Sequence, residues 1–301
     1  MIRVCGQQIK VTGRLLRVAR LDADKFQFLE GDPEPLIAAL RKEKTRIDLF
    51  TFIQRLPETT PKFGYPMEWD NFAAITLTTF DEWWNKQLGF KARNKAKQAE
   101  KKGVVLREVP FSDELVKGIS EIYNETPIRQ GRKFPHYGKS LEHIYKDEAT
   151  YLDRSVFLGA YNGARLIGFI KMTIDETGTQ AGLMNIVSLI SERDKAPTNA
   201  LVAQAVRACA ARGVTHLTYS NFSYGKKMSD SLSDFKERNA FKRVEVPRYY
   251  VPLTPLGRFG LKLGLHKKIS ERIPEPLAEK LRHYREKWLN RRFQAAATEA
   301  S

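Results

Sequence analysis

The segment 126–138 (Thr-Pro-Ile-Arg-Gln-Gly-Arg-Lys-Phe-Pro-His-Tyr-Gly) joins arginines, aromatics and glycine without helical or strand periodicity. Arg129 and Arg132, with the permissive Gly131 between them, are suited to fork onto a phosphate or carboxylate, and Tyr137 stands close by. That chemistry would hold an anionic acceptor such as a nucleotide sugar; a solvated connecting loop would have the same composition. A second cluster is cationic throughout: Lys86, Lys91, Arg93, Lys95, Lys97, Lys101 and Lys102, offset locally only by Glu100. Such a run can release counterions from nucleic-acid phosphates, or simply form a solvated basic face. A third, 257–293, is basic with leucines at helical spacing. It reads as one or two amphipathic helices broken at Pro274 and Pro276, lying on an anionic membrane surface or capping the domain.

The chain has 301 residues, 42% hydrophobic and 29% charged, as expected of a globular protein with one large core or two modest ones. Its formal charge of +16 favours anionic partners. No apolar run reaches the ~20 residues of a membrane-spanning helix. The N-terminus lacks a signal peptide's apolar core, so the expected location is cytoplasmic, extending to the inner membrane face. Cys5 and Cys209 offer neither a disulfide framework nor metal-ligand spacing, and no metal is expected.

The elements that would position these groups alternate strands and helices. Strands are expected over 9–21, 26–29, 46–55, 72–77 and 104–109, with a brief helix over 35–42. Thr79 and Glu82 form a capping box opening a long helix to Lys102, which Gly103 can end in a left-handed conformation. Leu88, Ala92, Ala96 and Ala99 give that helix a narrow buried stripe. Helices follow over 112–124 and 141–146. Asn162-Gly163 between two apolar runs, 155–161 and 165–174, signals a hairpin. A strand over 182–190, a helix from Pro197, a strand over 214–219, a Phe235-Lys236 element and a strand over 244–253 complete the order.

That order resembles the acyltransferase domain of the GNAT superfamily. More narrowly it resembles the Fem-like branch of peptidoglycan aminoacyl transferases and polysaccharide-cluster acyltransferases. The resemblance rests on Ala99-Glu-Lys-Lys-Gly-Val104 closing the basic helix, on Pro197-Thr-Asn-Ala-Leu201, on Asp234-Phe-Lys-Glu-Arg238 and on Pro247-Arg-Tyr-Tyr-Val-Pro-Leu253. It covers residues 70–253. It implies an α/β (α+β) fold with a mixed, mainly antiparallel sheet flanked by helices, in two GNAT-like halves. Residues 1–69 would form a partial N-terminal half, 70–253 the transferase domain and 254–301 a basic helical segment.

The resemblance further implies an N-acyltransferase acting on an amine of a cell-envelope or exopolysaccharide precursor. Its donor would be acyl-CoA or, in the alternative, aminoacyl-tRNA. In GNAT enzymes a glycine-rich loop cradles the donor pyrophosphate; here Arg193, Lys195, Ala196, Thr198 and Asn199 occupy it. A helix N-terminus flanked by cations still attracts phosphate, although Ala196 and Thr198 replace glycines and Pro197 lacks a donor. Lys236 matches a catalytic-site lysine that would stabilise a developing oxyanion or the donor's phosphates. Asn185 and Tyr224 are further catalytic candidates beside the expected cleft, and Asn221 joins Arg129, Arg132 and Tyr137 as a candidate for binding substrate. No residue is singled out as general base. A non-catalytic nucleic-acid- or membrane-binding protein on the same fold is the third reading.

Overall fold

A computed structural model describes residues 1–129, 131–222, 231–267 and 284 of the chain. Its centre is one sheet whose strands run, in sequence, as β1 (Ile2–Val4), β2 (Gln7–Thr12), β3 (Val18–Leu21), β4 (Leu49–Ile53), β5 (Met67–Thr76) and β6 (Val104–Val109). A separate two-stranded ribbon, β7 (Ile128–Arg129) and β8 (Arg132–Lys133), interrupts them. The sheet resumes with β9 (Ser155–Asn162), β10 (Arg165–Ile174), β11 (Gln180–Ser188), β12 (His216–Thr218) and β13 (Lys242–Pro252). In space the order is β1-β2-β3-β4-β13-β5-β12-β11-β10-β9-β6. Pairing is antiparallel except at β3–β4 and β11–β12. The mixed, mainly antiparallel sheet flanked by helices is therefore as expected.

The helices are α1 (Glu34–Lys42), α2 (Phe80–Glu82), α3 (Phe90–Lys101), α4 (Asp113–Asn124), α5 (Leu141–Glu148), α6 (Pro197–Ala211), α7 (Ser231–Arg238) and α8 (Pro255–Lys262). Ala92, Ala96 and Ala99 of α3 are buried, and α3 packs on the alanine-rich α6. Short side chains on both faces let the two backbones approach closely.

Several local expectations hold. Asn162 and Arg165 pair across a tight hairpin turn in which Gly163 takes φ +61°. Gly103 ends α3 at φ +76°. The Thr79 hydroxyl accepts the Glu82 N–H at 3.1 Å, which is the N-cap half of the capping box, while the Glu82 carboxylate accepts from the Thr78 hydroxyl at 2.7 Å.

Three expectations fail. The strand expected over 9–21 is two antiparallel strands, β2 and β3, turned at Gly13; with φ +93°, a Cβ there would lie 2.1 Å from the Leu16 carbonyl oxygen. The long helix from Thr79 to Lys102 breaks into α2, a π-turn at Trp83–Gln87 and α3. Burying both Trp83 and Leu88 widens that turn, closed by the Leu88 N–H on the Trp83 carbonyl, and Gly89 resets the chain in extended geometry. Finally, 26–29 is not a strand: the Phe26 and Gln27 N–H groups both close turns onto the Ala23 carbonyl.

β13 joins the two ends of the chain by pairing with both β4 and β5. α8 then folds back against β13 and β4, its Gly257 seated on the Asp48 backbone. A Cβ at Gly257 would stand 1.7 Å from the Asp48 carbonyl oxygen, so nothing larger fits without moving a core strand. Gly257→Ala is therefore expected to lower unfolding stability by roughly 3 kcal/mol, read as a urea-midpoint shift. The outward Arg258→Ala should stay within about 0.5 kcal/mol of the parent.

Candidate functional site

The site is built where two parallel strands part. β11 and β12 pair only from Gln180–His216 to Gly182–Thr218. Beyond that point β11 continues to Ser188 without this neighbour, and its side chains pass from buried to half-buried at Met184. On its other side β11 stays paired with β10, with one irregularity: Lys171 faces Asn185 and Met172 faces Leu183, so Met184 is the extra residue. Such a bulge re-aims the local side chains. An open cleft of about 440 Å³ lies here, lined among others by Asp22, Lys25, Tyr151, Met184, Ser220 and Asn221.

One wall comes from the turn at residues 22–26. Phe26 is wedged against Gly182, the last paired residue of β11, where a Cβ would meet its ring at 2.3 Å. Behind that turn lies an ionic cluster. The Asp70 carboxylate accepts from Lys25 Nζ at 3.3 Å, Asn221 Nδ2 at 2.8 Å and Arg248 Nε at 2.8 Å. Arg248 also donates to Asp24 at 2.8 Å. Burial pulls Lys25 down to about 8 despite its partner Asp70. For Asp70 burial works against ionisation, but Lys25 and Arg248 outweigh it and hold the carboxyl below its usual range. Across the cleft the Tyr151 hydroxyl is pushed up by burial and by the negative charge of Asp22.

Lys236 is 0% exposed on α7. Its Nζ donates to the Asn221 carbonyl and lies 4.6 Å from the centre of the Tyr219 ring. The lysine thereby fixes the chain leaving β12, where Ser220 takes the left-handed φ of +47°. Asn221 consequently belongs to both the cleft lining and the Lys236 contact. Tyr224 lies outside the described residues.

The loop from β11 to α6 forms the far end. Ser188 and Thr198 hydroxyls are 2.8 Å apart, tying the strand end to the first turn of α6. Ala196 takes φ +52° with its methyl buried, in the backbone region where glycine is free of strain. Asn199 donates to the buried Asn239 at 3.2 Å, linking the α6 start to the end of α7. Arg193 is exposed, Lys195 is paired with Glu192, and Asp194 is held by Lys102 at 2.7 Å and Gln98 at 2.8 Å. The basic helix α3 therefore abuts this loop.

Asn185 gives its amide to the Glu148 carboxylate at 2.8 Å. Glu148 is buried, accepts from the Tyr123 hydroxyl at 2.9 Å, and its backbone carbonyl accepts from Lys171 Nζ at 2.7 Å. Burial raises Glu148 and lowers Lys171 to about 8.

Arg129 is committed internally: it donates to the Ser188 and Ile122 carbonyls at 2.7 and 2.8 Å and to Glu125 at 3.1 Å. Glu125 in turn accepts the Ile190 and Ser191 N–H groups. This arginine clamps the end of β11, and only through that clamp does it reach the cleft. Arg132 and Tyr137 are exposed on the neighbouring ribbon and loop. Sequence reasoning missed Asp22, Lys25, Thr150, Tyr151 and Met184. Only the departure of 22–25 from strand patterning, with two aspartates and a lysine in four residues, could have drawn attention to that wall.

No protein-family model and no curated protein matches the sequence. Solved structures do. The chain is similar to L-PGS from Bacillus licheniformis at TM-score 0.56 and 14% identity, over 87% of this chain and 85% of that one. It is similar to the C-terminal domain of a putative lysylphosphatidylglycerol synthetase from Agrobacterium fabrum at 0.53 and 11%, over 85% and 84%. FemX matches at 0.52 and 12%, over 80% and 83%. The chain shares the overall fold of these three structures.

Asp70→Asn leaves Lys25 and Arg248 short of a countercharge. It should cost roughly 3 kcal/mol in urea unfolding. Because folding lowers the Asp70 pKa, its contribution is complete above the unfolded value of about 4 and is lost as pH falls through the folded value. Acid titration of stability should therefore be shallower in Asp70→Asn than in the parent.

Proposed function

We propose that this chain is an N-acyltransferase that moves an acyl or aminoacyl group from an activated donor to an amine. The observation that carries this reading is the parting of β11 from β12, with the α6 N-terminus at one end of the gap and Lys236 beneath Asn221 at the other. The open flank of β11 offers N–H and C=O groups to an extended, amide-bearing donor arm. The α6 dipole and Arg193 attract its phosphates.

In the reaction the amine nitrogen attacks the acyl carbon and the carbonyl oxygen takes up negative charge. The amine then loses a proton, and the donor's thiol or ribose hydroxyl leaves. We assign Lys236 to electrostatic support of that developing oxyanion from behind Asn221, whose carbonyl its buried Nζ holds, with Asn221 lining the cleft. Most of the acceleration comes from orientation and charge stabilisation, without a covalent enzyme intermediate. The acceptor proposed is an amine of a cell-envelope or exopolysaccharide precursor, small or lipid-linked.

A second donor is favoured by one contact. Ala196 and Pro197 make the α6 loop a poorer pyrophosphate cradle than glycines would, while Lys102 and Gln98 of the basic α3 hold Asp194 on that same loop. A tRNA backbone lying along α3 would deliver its aminoacyl end to the cleft, and proteins named for lysylphosphatidylglycerol synthesis and FemX share the fold. Acyl-CoA and aminoacyl-tRNA are separated by direct titration: salt-sensitive binding of charged tRNA without CoA binding selects the aminoacyl reading. Binding of neither sinks both and leaves a non-catalytic binding protein.

Lys236→Met keeps the buried stem and removes the ammonium. Its kcat is expected to fall on the order of 10²–10³-fold with whichever donor is bound, measured by single-turnover transfer of labelled acyl group. Unchanged turnover in a folded Lys236→Met protein would reject the assignment.

A further inference from the structure

The outer face of α8 carries Leu256, Phe259 and Leu263, which fall on one stripe at i, i+3 and i+7. Phe259 is 58% exposed and Leu263 57%. The adjoining face is seated: Gly257 on Asp48 and Gly260 against the Leu16 side chain. Leu16 belongs to the β2–β3 turn, so the preceding residue, Leu15, is brought beside the helix. Leu15 is 88% exposed, and its carbonyl is pinned by Arg46 Nη2 at 2.9 Å. A leucine held at a turn tip with its side chain in water gains nothing from folding, and the same turn touches the helix that leaves three more apolar side chains outside. Exposed cations flank the patch: Arg14 on the turn, and Arg258 and Lys262 on α8. None of the three has a carboxylate partner within salt-bridge distance among the described residues.

We infer that the β2–β3 turn and α8 together form a face that docks on an anionic lipid bilayer, with Leu15, Phe259 and Leu263 entering the acyl boundary and Arg14, Arg258 and Lys262 meeting lipid phosphates. Charge selects the bilayer over other occupants. A second copy would press like-charged rims together in chains that each carry +16. A nucleic acid would satisfy the cations but leave the apolar tips without an apolar partner. An anionic bilayer surface offers both chemistries at the depth that an amphipathic helix reaches. Because Gly257 and Gly260 seat α8 against β4 and the turn, the patch is rigidly attached to the sheet. The inference is independent of the transfer reaction and stands or falls separately from it.

The full-length protein is sedimented with vesicles of equal parts phosphatidylglycerol and phosphatidylcholine, and with phosphatidylcholine alone. The wild type should bind the anionic vesicles and not the zwitterionic ones. Phe259→Ser combined with Leu263→Ser should weaken binding on the order of a hundredfold, and Leu15→Ser about tenfold. Arg258→Glu combined with Lys262→Glu should weaken it at least about tenfold. All these side chains are exposed, so melting temperatures should match the parent. Absence of wild-type binding to anionic vesicles, equal binding to both compositions, or full binding by the Phe259/Leu263 variant would each overturn the proposal. So would a dimer in light scattering that the same variant dissolves, which would assign the face to a second copy.

Discussion

Beyond Gly182, β11 loses its parallel neighbour β12, and a strand edge that is no longer paired must leave its N–H and C=O groups to water or to a bound molecule. Every other feature of the cleft follows from holding those strands apart. Phe26 wedges against Gly182 at the fork, Ser188 is tied to Thr198 at the far end of β11, and Arg129 clamps the Ser188 carbonyl. On the β12 side the chain is fixed by Lys236, whose buried Nζ is met by the Asn221 carbonyl and the Tyr219 ring. A lysine removed from water must be solvated by the protein, so the same interaction that secures the ammonium also secures the wall of the cleft.

The wall opposite is electrostatic. Asp70 gathers Lys25, Arg248 and Asn221, and thereby links the 22–26 turn, β5, β13 and the segment after β12. In a chain of net charge +16, carboxylates that collect several cations at once reduce the repulsion that a compact basic protein must carry. Because β13 runs between β4 and β5, this cluster binds the first and last parts of the sheet at the point where the cleft opens. Stability and the shape of the site are therefore coupled through one carboxylate.

Much of the fold was legible because it is written in local chemistry. Asn162-Gly163 has one favourable use between apolar strands, Gly103 closes a helix, and the Ala92, Ala96 and Ala99 stripe can only face another helix closely. What was misread involved competition between local and distant demands. The capping box at Thr79 opens a helix, but burying Trp83 and Leu88 together overrides the simple continuation to Lys102. Residues 26–29 carry strand-forming side chains, yet Phe26 and Phe28 are spent on Gly182 and on the core, and the backbone turns. The loop arginines were legible as anion forks by type alone; Arg129 instead finds carbonyls and Glu125 within its own molecule.

The sequence by itself determined the order of elements, the Fem-like resemblance, the basic surfaces and the place of Lys236 and the α6 loop in that order. These depend on propensities, turn chemistry and spacing, all of which act over a few residues. Only the tertiary structure decided that β11 and β12 part after three paired residues, that Asp22, Lys25 and Tyr151 face the gap, and that Leu15 stands beside α8. Those arrangements join residues separated by dozens to hundreds of positions. They are set by register, burial and charge pairing across the sheet, for which one sequence carries no local signal.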